Sequence, residues 1–180
     1  MSAFDAAWRA RQRYQPFFCE ENVWHLLQQD DLPQPRAAVF VINADRRVAM
    51  HGQRAGRGQV VVWDYHVVLL LPGAGLVVDL DDDARADWPV RDWLAHAFPA
   101  GAPPEFAPCF RVVDAAGFLA TFSSDRSHML DATGRPMRPF PAWPAPFAAE
   151  RGMNLRRFLD PVDPIAGTVV DPAGLLALCR

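Results

Sequence analysis

The sequence predicts an α+β domain in which a helix packs against an antiparallel sheet. Apolar residues recur at helical spacing over 19–29. A continuous apolar run at 37–43 has the length and composition of a buried strand. Two further apolar runs, 59–71 and 76–80, flank the turn Pro-Gly-Ala-Gly and predict a hairpin. With 51% hydrophobic residues, the 180-residue chain can bury one full core, so we expect 1–180 to form a single domain.

The remaining predicted elements are shorter. In chain order they are a helical or irregular lead-in at 1–18 that ends near Pro16, a strand at 48–50, a helix at 90–98, a strand at 110–113, a short helix or turn at 117–122, and helices at 154–159 and 172–179. The Pro-rich segment 131–152 is too short and too aromatic for a linker between domains. We expect it to wrap the surface and to line a cleft.

Composition excludes several classes of function. The net charge is only −3, and the 18 basic residues are scattered arginines, which argues against nucleic-acid binding. No apolar run is long enough to cross a membrane, and the N-terminus lacks a signal-peptide pattern. Three widely spaced cysteines form no disulfide framework and no metal motif. We therefore expect a cytoplasmic monomer that binds neither nucleic acid nor membrane.

Cys19 is the first candidate catalytic residue. It begins the predicted helix, where free backbone N–H groups can lower a thiol pKa and bind a developing oxyanion. A free cysteine is more often a small buried hydrophobe, and Glu20 and Glu21 would oppose thiolate formation if they faced the sulfur. Position still favours Cys19 over Cys109, which lies in a strand, and over Cys179, which lies near the end of the sequence.

A histidine and an aspartate interrupt the first strand of the hairpin. A lone histidine in an apolar strand is usually a core residue. Asp64 and His66, however, fall on one face because side chains in a strand alternate with a period of two. Two polar residues on one face indicate that this face borders a cleft. A thiol nucleophile needs an imidazole base, so we expect His66 to serve Cys19.

Asp79 ends the second strand of the hairpin, and two registers are open. A turn centred at 73–74 pairs His66 with Asp81 and makes His66 and Asp79 diagonal neighbours on one face, about 7–8 Å apart at Cα. A turn centred at 72–73 places His66 directly opposite Asp79. Both registers allow the carboxylate to fix the imidazole tautomer and to stabilise the imidazolium.

The alternative for Asp79 is that it merely opens an acidic loop at 79–83. Full solvation suits Asp81, Asp82 and Asp83 better than Asp79, which directly follows the apolar Leu-Val-Val. We therefore expect those three later carboxylates to be solvated.

The segment Ser-Ser-Asp-Arg-Ser-His-Met at 123–129 is a third polar cluster. It could be a turn capped by its own side chains. As part of a site, Asp125 could bind a cation, and His128 could compete with His66 as the base. No residue spacing matches a zinc motif or a phosphate-binding loop, so we expect no metal and no cofactor.

Several strings of the sequence match one known family. The most specific are Trp-Asp-Tyr-His-Val-Val-Leu-Leu at 63–70 and Ser-Asp-Arg-Ser-His-Met at 124–129. Further matching segments, in the same order as in the family, are 14–24, 38–40, 79–81, 110–112 and 153–155. In these strings the sequence resembles the protein N-terminal glutamine amidohydrolases. The loops 84–107 and 131–152 and the pair Arg156-Arg157 depart from the family, which leaves the preference for downstream residues open.

The resemblance implies a papain-like, transglutaminase-related cysteine hydrolase fold with an antiparallel sheet and a nucleophile-bearing helix. It implies a triad of Cys19, His66 and Asp79. It also implies a reaction: the N-terminal glutamine of a protein or peptide becomes glutamate through a thioester, with release of ammonia and without a cofactor. Such a reaction would process N-degrons, and its partner would be the N-terminal segment of the substrate.

Specificity for an N-terminal residue requires a group that binds the α-ammonium. The candidate substrate-binding residues are Asp125, which we favour, then Asp64, Glu20 and Glu21, with Tyr65 as a further contact. Backbone carbonyl groups could serve instead. Two other classes stay open: a papain-type peptidase or transglutaminase-like acyltransferase with the same triad, and a non-catalytic module that binds N-terminal glutamine.

Overall fold

The computed structural model describes residues 4–98 and 101–179, and it is a mixed α/β structure. Its strands are β1 (Ala37–Ile42), β2 (Val48–Met50), β3 (Val61–Trp63), β4 (His66–Leu71), β5 (Leu76–Val78), β6 (Asp87–Pro89), β7 (Cys109–Asp114) and β8 (Thr168–Val170). Its α-helices are α1 (Ala6–Ala10), α2 (Cys19–Leu27), α3 (Val90–Ala97), α4 (Ala115–Thr121), α5 (Leu155–Leu159) and α6 (Pro172–Ala177). Single 3₁₀ turns lie at Arg54–Gly56, Pro72–Ala74, Pro104–Phe106 and Ser127–Met129.

A six-stranded antiparallel sheet forms the centre of the structure, in the order β6-β5-β4-β1-β7-β8. The strands β2 and β3 form a separate two-stranded sheet. Side chains of β4 alternate between two hydrophobic cores, because successive residues of a strand point to opposite faces. Val67 and Leu69 pack in one core with α2, α4 and α5. Val68 and Leu70 pack in the other with α3, α6 and β2.

Helix α2 begins at Cys19 and lies against β4. Two glutamates occupy its first turn, where negative charge is favourable to the helix dipole. Val23, Leu26 and Leu27 are buried and hold the helix on the sheet. Just before the helix, Phe17 adopts a left-handed φ of 71°. This conformation is uncommon for a bulky residue and turns the chain sharply into the helix start.

The hairpin has the register of a turn centred at 73–74, since Leu69 pairs with Val78 and Leu71 with Leu76. The alternative register, with His66 directly opposite Asp79, is wrong. The connection is a 3₁₀ turn that ends at Gly75 with φ of 64°, a conformation that glycine adopts at no steric cost.

The prediction of one continuous strand at 59–71 is wrong. The chain leaves extended structure at Asp64 and Tyr65, so β3 pairs with β2 and not with the main sheet. For this reason Asp64 and His66 do not share a strand face: Asp64 is exposed and His66 is buried. The expected cleft nevertheless borders both residues.

The other elements follow the predictions with small shifts at their ends, and the lead-in contains α1, with residues 1–3 outside the described part of the chain. The strands β6 and β8 were not predicted from the sequence. Each has three residues and lies at an edge of the sheet, which is too short for a recognisable alternation. None of the helices in the described ranges has the length and apolar content needed to cross a bilayer.

A buried arginine fixes the position of α5 beside the site. Arg111 lies on β7, and its guanidinium donates hydrogen bonds to the carbonyl groups of Phe158, Asp160, Asp163 and Ala166 at 2.6–3.1 Å. Because these bonds come from one rigid planar group, they hold the end of α5 and the following loop against the sheet. The wall of the cavity formed by α5 is thereby held in place.

Candidate active site

A cavity of about 320 Å³ brings together the start of α2, the first residue of β4 and the loop after β5. The polar side chains in its lining include Cys19, Arg46, Asp64, Tyr65, His66, Asp81, His128 and Arg156. Met137 also lines it, so the expectation that 131–152 contributes to a cleft is confirmed. Of the residues predicted to bind substrate, Asp125, Glu20 and Glu21 do not line the cavity.

Cys19 is the first residue of α2 and is 8% exposed. Its Sγ lies 3.7 Å from Oε2 of Glu20. Burial, and next the Glu20 carboxylate, raise the pKa of the Cys19 thiol well above its usual value, against an opposing contribution from the backbone N–H of Val67. The helix start alone therefore does not make a thiolate here. Ionisation of Cys19 requires a proton acceptor close by.

His66 and Asp79 form a buried pair, with Nε2 of the imidazole 2.9 Å from Oδ1 of the carboxylate. Burial alone would lower the pKa of His66, but the charge and hydrogen bond of Asp79, with the charges of Asp81 and Glu20, together raise it. Burial alone would raise the pKa of Asp79, but the charge and hydrogen bond of His66, with hydrogen bonds from Gln53 and the Asp81 backbone, together lower it. Since Nε2 is engaged by Asp79, Nδ1 is the nitrogen that can accept a proton.

Two further side chains surround this pair. The ring of Trp63 is stacked on that of His66, with centroids 6.0 Å apart and planes at 16°. Nε1 of Trp63 donates to Oε1 of Gln53 at 3.3 Å, and Nε2 of Gln53 donates to Oδ2 of Asp79 at 3.1 Å. The four side chains thus form a closed ring of contacts. Gln53 lies in a Gly- and Arg-rich loop, and the composition of this loop does not indicate that Gln53 turns inward to contact Asp79.

On the other side of Cys19, a buried glutamate contacts a tyrosine and a histidine. The hydroxyl of Tyr65 donates to Oε2 of Glu20 at 3.0 Å. Nε2 of His128 lies 3.5 Å from Oε1 of Glu20. Burial, and next Glu20, raise the pKa of Tyr65 well above its usual value. This cluster of Glu20, Tyr65 and His128 places negative charge beside the thiol.

Glu21 has a structural position. Arg126 donates to both of its carboxylate oxygens, at 2.8 and 2.7 Å, and Nε1 of Trp143 donates to it at 2.9 Å. Both oxygens of Glu21 are therefore occupied by partners that tie the 131–152 segment to α2. The geometry gives no support to Glu21 as a substrate-binding residue.

Asp125 and Asp64 are the two exposed acidic candidates. Oδ1 of Asp125 accepts a hydrogen bond from the backbone N–H of Ser127 at 2.9 Å. This contact fits the alternative in which the segment 123–129 is a turn capped by its own side chains. A hydrogen bond from the Ser127 side chain, and to a smaller extent its backbone N–H, lowers the pKa of Asp125. Asp64 lies at the rim of the cavity and forms an ion pair with Arg46 at 3.3 Å. Of these two carboxylates, only Asp64 can meet a molecule in the cavity.

The acidic loop differs from its prediction. Asp83 is exposed as expected, but Asp81 is only 8% exposed and Asp82 is fully buried. The loop folds back on itself because its backbone is held by Asp79, Gln53 and their neighbours: the N–H of Asp81 donates to Oδ1 of Asp79 at 3.0 Å, and Gln53 forms a β-bridge with Asp82. Sequence reasoning therefore missed Asp81 as a residue of the cavity.

Two groups of side chains could each offer three ligand atoms to a metal ion, with all three atoms within 4.8 Å of one another. One group is His66, Asp79 and Asp81, and the other is Asp82, Asp83 and His96. In the first, Nε2 of His66 already bonds Asp79, and a metal ion there would remove that hydrogen bond. In the second, Nε2 of His96 lies 3.1 Å from Oδ2 of Asp82, close enough for an ion pair, but neither atom makes a hydrogen bond within the described residues.

A buried thiol, a histidine in the same cavity and a carboxylate on that histidine form a set suited to acyl transfer. The thiol can attack a carbonyl carbon, and the imidazole can take up and return the proton. Free backbone N–H groups at the start of α2 can bind an oxyanion next to the sulfur.

Comparison with known proteins gives consistent results. The sequence model of the family described as N-terminal glutamine amidase matches residues 14–178. A Bos taurus protein named protein N-terminal glutamine amidohydrolase is 35% identical over 165 residues, which cover 86% of this chain and 79% of the relative. A Homo sapiens protein of the same name is 34% identical over 86% of this chain and 80% of its own length. A Drosophila mojavensis protein of the same name is 39% identical over 73% of this chain and 70% of its own length.

Proposed function

The chain belongs to the N-terminal glutamine amidase family, and on this premise we propose that it converts the N-terminal glutamine of a protein or peptide to glutamate and releases ammonia. We assign Cys19 as the nucleophile, His66 as the base and Asp79 as the residue that orients the base. The observation that carries the proposal is the His66–Asp79 hydrogen bond of 2.9 Å in the cavity that also contains Cys19. We further propose that the architecture is related to the papain and transglutaminase folds.

In the first half of the proposed reaction, Nδ1 of His66 takes the proton of Cys19, and the thiolate attacks the carbon of the side-chain carboxamide. Backbone N–H groups at the start of α2 hold the oxyanion. The imidazolium then protonates the departing nitrogen, which leaves as ammonia, and a thioester remains on Cys19. In the second half, His66 accepts a proton from water as that water attacks the thioester, and glutamate is released as the thiol reforms.

Asp79 has the largest effect on the charged intermediate of this reaction. When His66 accepts a proton, the positive charge lies beside a buried carboxylate that already accepts its N–H. The low polarity around the pair strengthens this attraction. Proton transfer from a thiol whose pKa is raised is therefore supported by an acceptor whose pKa is also raised.

The experiment that tests the proposal is an ammonia-release assay on a Gln-initiated peptide, with mass spectrometry of the product. Wild-type protein should convert the first residue to glutamate, and Cys19→Ala should remove the activity. Cys109→Ala is the matched control, because Cys109 is a free thiol outside the cavity, and it should retain activity. Ammonia release by Cys19→Ala near the wild-type rate would reject the thiol mechanism.

The same assay separates the alternative activities that use this triad. A peptidase would shorten the peptide, and an acyltransferase would join it to an added amine. We expect neither product, and we expect acetylated N-terminal glutamine and internal glutamine to be inert. We also propose that the chain forms one domain, acts as a monomer and resides in the cytoplasm; the three free cysteines are consistent with a reducing compartment.

A further inference from the structure

Three of the carboxylates near Cys19 either already have partners on their oxygens or are screened by water. Asp79 accepts hydrogen bonds from His66, Gln53 and the Asp81 backbone. Glu20 is fully buried, with Tyr65 on one oxygen and His128 facing the other. The side chain of Asp64 is 58% exposed and is paired with Arg46, so water screens its charge.

Asp81 differs from these three. It lines the cavity and is 8% exposed, and the hydroxyl of Tyr14 donates to its Oδ1 at 2.5 Å. Within 4–98 and 101–179, no hydrogen bond or ion pair reaches its Oδ2. The nearby guanidinium of Arg54 lies over the ring of Tyr14, 5.4 Å from its centroid. Asp81 is thus a buried carboxylate that lines the cavity and whose second oxygen makes no hydrogen bond within the described residues.

A buried carboxylate with an incomplete set of partners is unfavourable, and a cation is a partner that relieves it. Burial, and next the Asp79 charge, raise the pKa of Asp81, although the charges of His66 and Arg54 and the hydrogen bond from Tyr14 act to lower it. The backbone of the residue is fixed as well, because its N–H donates to Asp79 and its carbonyl accepts from the N–H of Arg54 at 2.8 Å. The carboxylate therefore has a defined position but an incomplete set of partners.

We propose that Asp81 binds the α-ammonium of the N-terminal glutamine through Oδ2, and that Tyr14 positions the carboxylate. This inference rests on the proposed function, because it names the recognition element of that same site. The α-ammonium is the one positive charge that every substrate of this class carries at its first residue. A buried carboxylate with one oxygen left without a hydrogen bond distinguishes that ammonium from an acetylated or internal amide.

Glutamine has two polar ends that Asp81 and Cys19 could each contact, since both residues line the one cavity. Four covalent bonds separate its α-nitrogen from its carboxamide carbon, a span of roughly 5 Å when extended. Asp81 would hold one end and Cys19 would attack the other, and both residues line the same cavity. Asparagine has one methylene fewer, so its carboxamide would fall short of the sulfur when its ammonium is bound. Contacts at both ends thus select the first residue of the substrate by its side-chain length as well as by its charge.

The test compares two peptides that differ only at the α-position. One begins with glutamine, and the other begins with the same residue in which hydrogen replaces the α-amino group. For each enzyme variant, kcat/KM for ammonia release is measured with both peptides, and their ratio is the amine preference. The wild type should show a large preference. Asp81→Asn should reduce it by about 10-fold to 100-fold, because the charged contact is lost while side-chain shape is kept.

Control variants test whether the effect belongs to Asp81. Asp125→Asn removes the same charge from an exposed residue outside the cavity, and it should keep both the activity and the amine preference. Glu20→Gln should keep the amine preference even if its rates change. Tyr14→Phe leaves the carboxylate in place but removes its hydrogen bond, and it should reduce the preference by a smaller factor, mainly through KM.

Several outcomes would overturn the inference. If Glu20→Gln loses the preference and Asp81→Asn keeps it, the ammonium binds to Glu20. If Asp81→Asn lowers kcat/KM for both peptides equally, Asp81 acts through the charge of His66 and not on the substrate. If Asp81→Asn does not fold, an unchanged preference in Tyr14→Phe would reject the role of the pair. Absence of ammonia release from the Gln peptide by the wild type would instead reject the proposed function itself.

Discussion

Two buried carboxylates, Asp79 and Glu20, act mainly on opposite partners of the proposed proton transfer from Cys19 to His66. On the base side, defined by Gln53, Trp63, His66 and Asp79, the carboxylate faces an imidazole and favours its protonation. On the thiol side, defined by Glu20, Tyr65 and His128, the carboxylate lies 3.7 Å from the sulfur and disfavours the thiolate. The group that a buried carboxylate faces thus decides whether it assists proton transfer or opposes it.

The opposition between the two sides has a consequence for the resting enzyme. Both carboxylates are removed from water, so their charges act at nearly full strength on their neighbours. The raised pKa of Cys19 favours the protonated thiol, and the raised pKa of His66 favours uptake of a proton by the imidazole. A cationic substrate end in the cavity would offset part of the negative charge around Cys19 and would favour the thiolate when substrate is present.

Breaking the base side should have the largest effect. His66→Ala should abolish ammonia release, because the imidazole of His66 is hydrogen-bonded to a carboxylate at 2.9 Å, whereas His128 approaches Glu20 only to 3.5 Å. Asp79→Asn should lower kcat by about 10²–10⁴, since the amide cannot hold the reactive tautomer. His128→Ala should cost less, because His128 contacts Glu20 and Tyr65. Steady-state kinetics of the three purified variants test this ranking, and a larger loss in His128→Ala than in His66→Ala would reverse the assignment of the base.

Removing a hydrogen bond that supports the base side should have an intermediate effect on kcat. Gln53→Leu removes the hydrogen bond to Oδ2 of Asp79 and leaves that oxygen unpaired in a buried position. A hydrogen bond to a charged group contributes about 1.5–3 kcal/mol, so we expect a loss in kcat of about 10-fold or more. Gln59→Leu is the matched control, because Gln59 is exposed and outside the cavity. Equal kinetics for the two variants would show that the ring of contacts does not support catalysis.

Neutralising the thiol side should change the ionisation of Cys19. Glu20→Gln removes a negative charge next to the sulfur, which should lower the thiol pKa. The pH profile of Cys19 alkylation by iodoacetamide should therefore move to lower pH, with faster labelling near neutrality. Asp125→Asn is the control of equal charge change and should leave the profile unmoved. A profile for Glu20→Gln that coincides with the wild type would contradict the assignment of the carboxylate as the opposing charge.

The neighbouring glutamate should affect catalysis least and stability most. Glu21→Gln breaks a buried ion pair with Arg126, and loss of one partner of such a pair typically costs about 3–5 kcal/mol. Denaturant unfolding should show this loss, while the alkylation profile of Cys19 should change little. If the alkylation profile shifted as far as in Glu20→Gln, the two glutamates would not have the separate roles that their contacts indicate.

The sequence predicted those site residues that interrupt an apolar pattern. His66 and Asp79 are polar residues in or next to hydrophobic strands, and Cys19 begins an amphipathic helix. Strand alternation and hairpin register place the first two close together without any long-range information. The observed register is one of the two that this reasoning allowed.

Gln53 and Asp81 could not be predicted in the same way. Both lie in loops, where no periodicity specifies which side chain turns inward. Their positions depend on long-range contacts: the bridge between Gln53 and Asp82, and the hydrogen bond between Asp81 and Tyr14 across 67 positions of the chain. The break at Asp64 was also hidden, because β3 and β4 read as one apolar run although they belong to different sheets.

The thioester on Cys19 is the central claim, and trapping with hydroxylamine tests it most directly. Hydroxylamine competes with water for a thioester and would convert the first residue of the peptide to a γ-hydroxamate, which mass spectrometry separates from glutamate. We predict that the wild type yields a hydroxamate fraction that rises with hydroxylamine concentration, and that Cys19→Ala yields none. Formation of glutamate alone at every hydroxylamine concentration, at the full wild-type rate, would contradict the account.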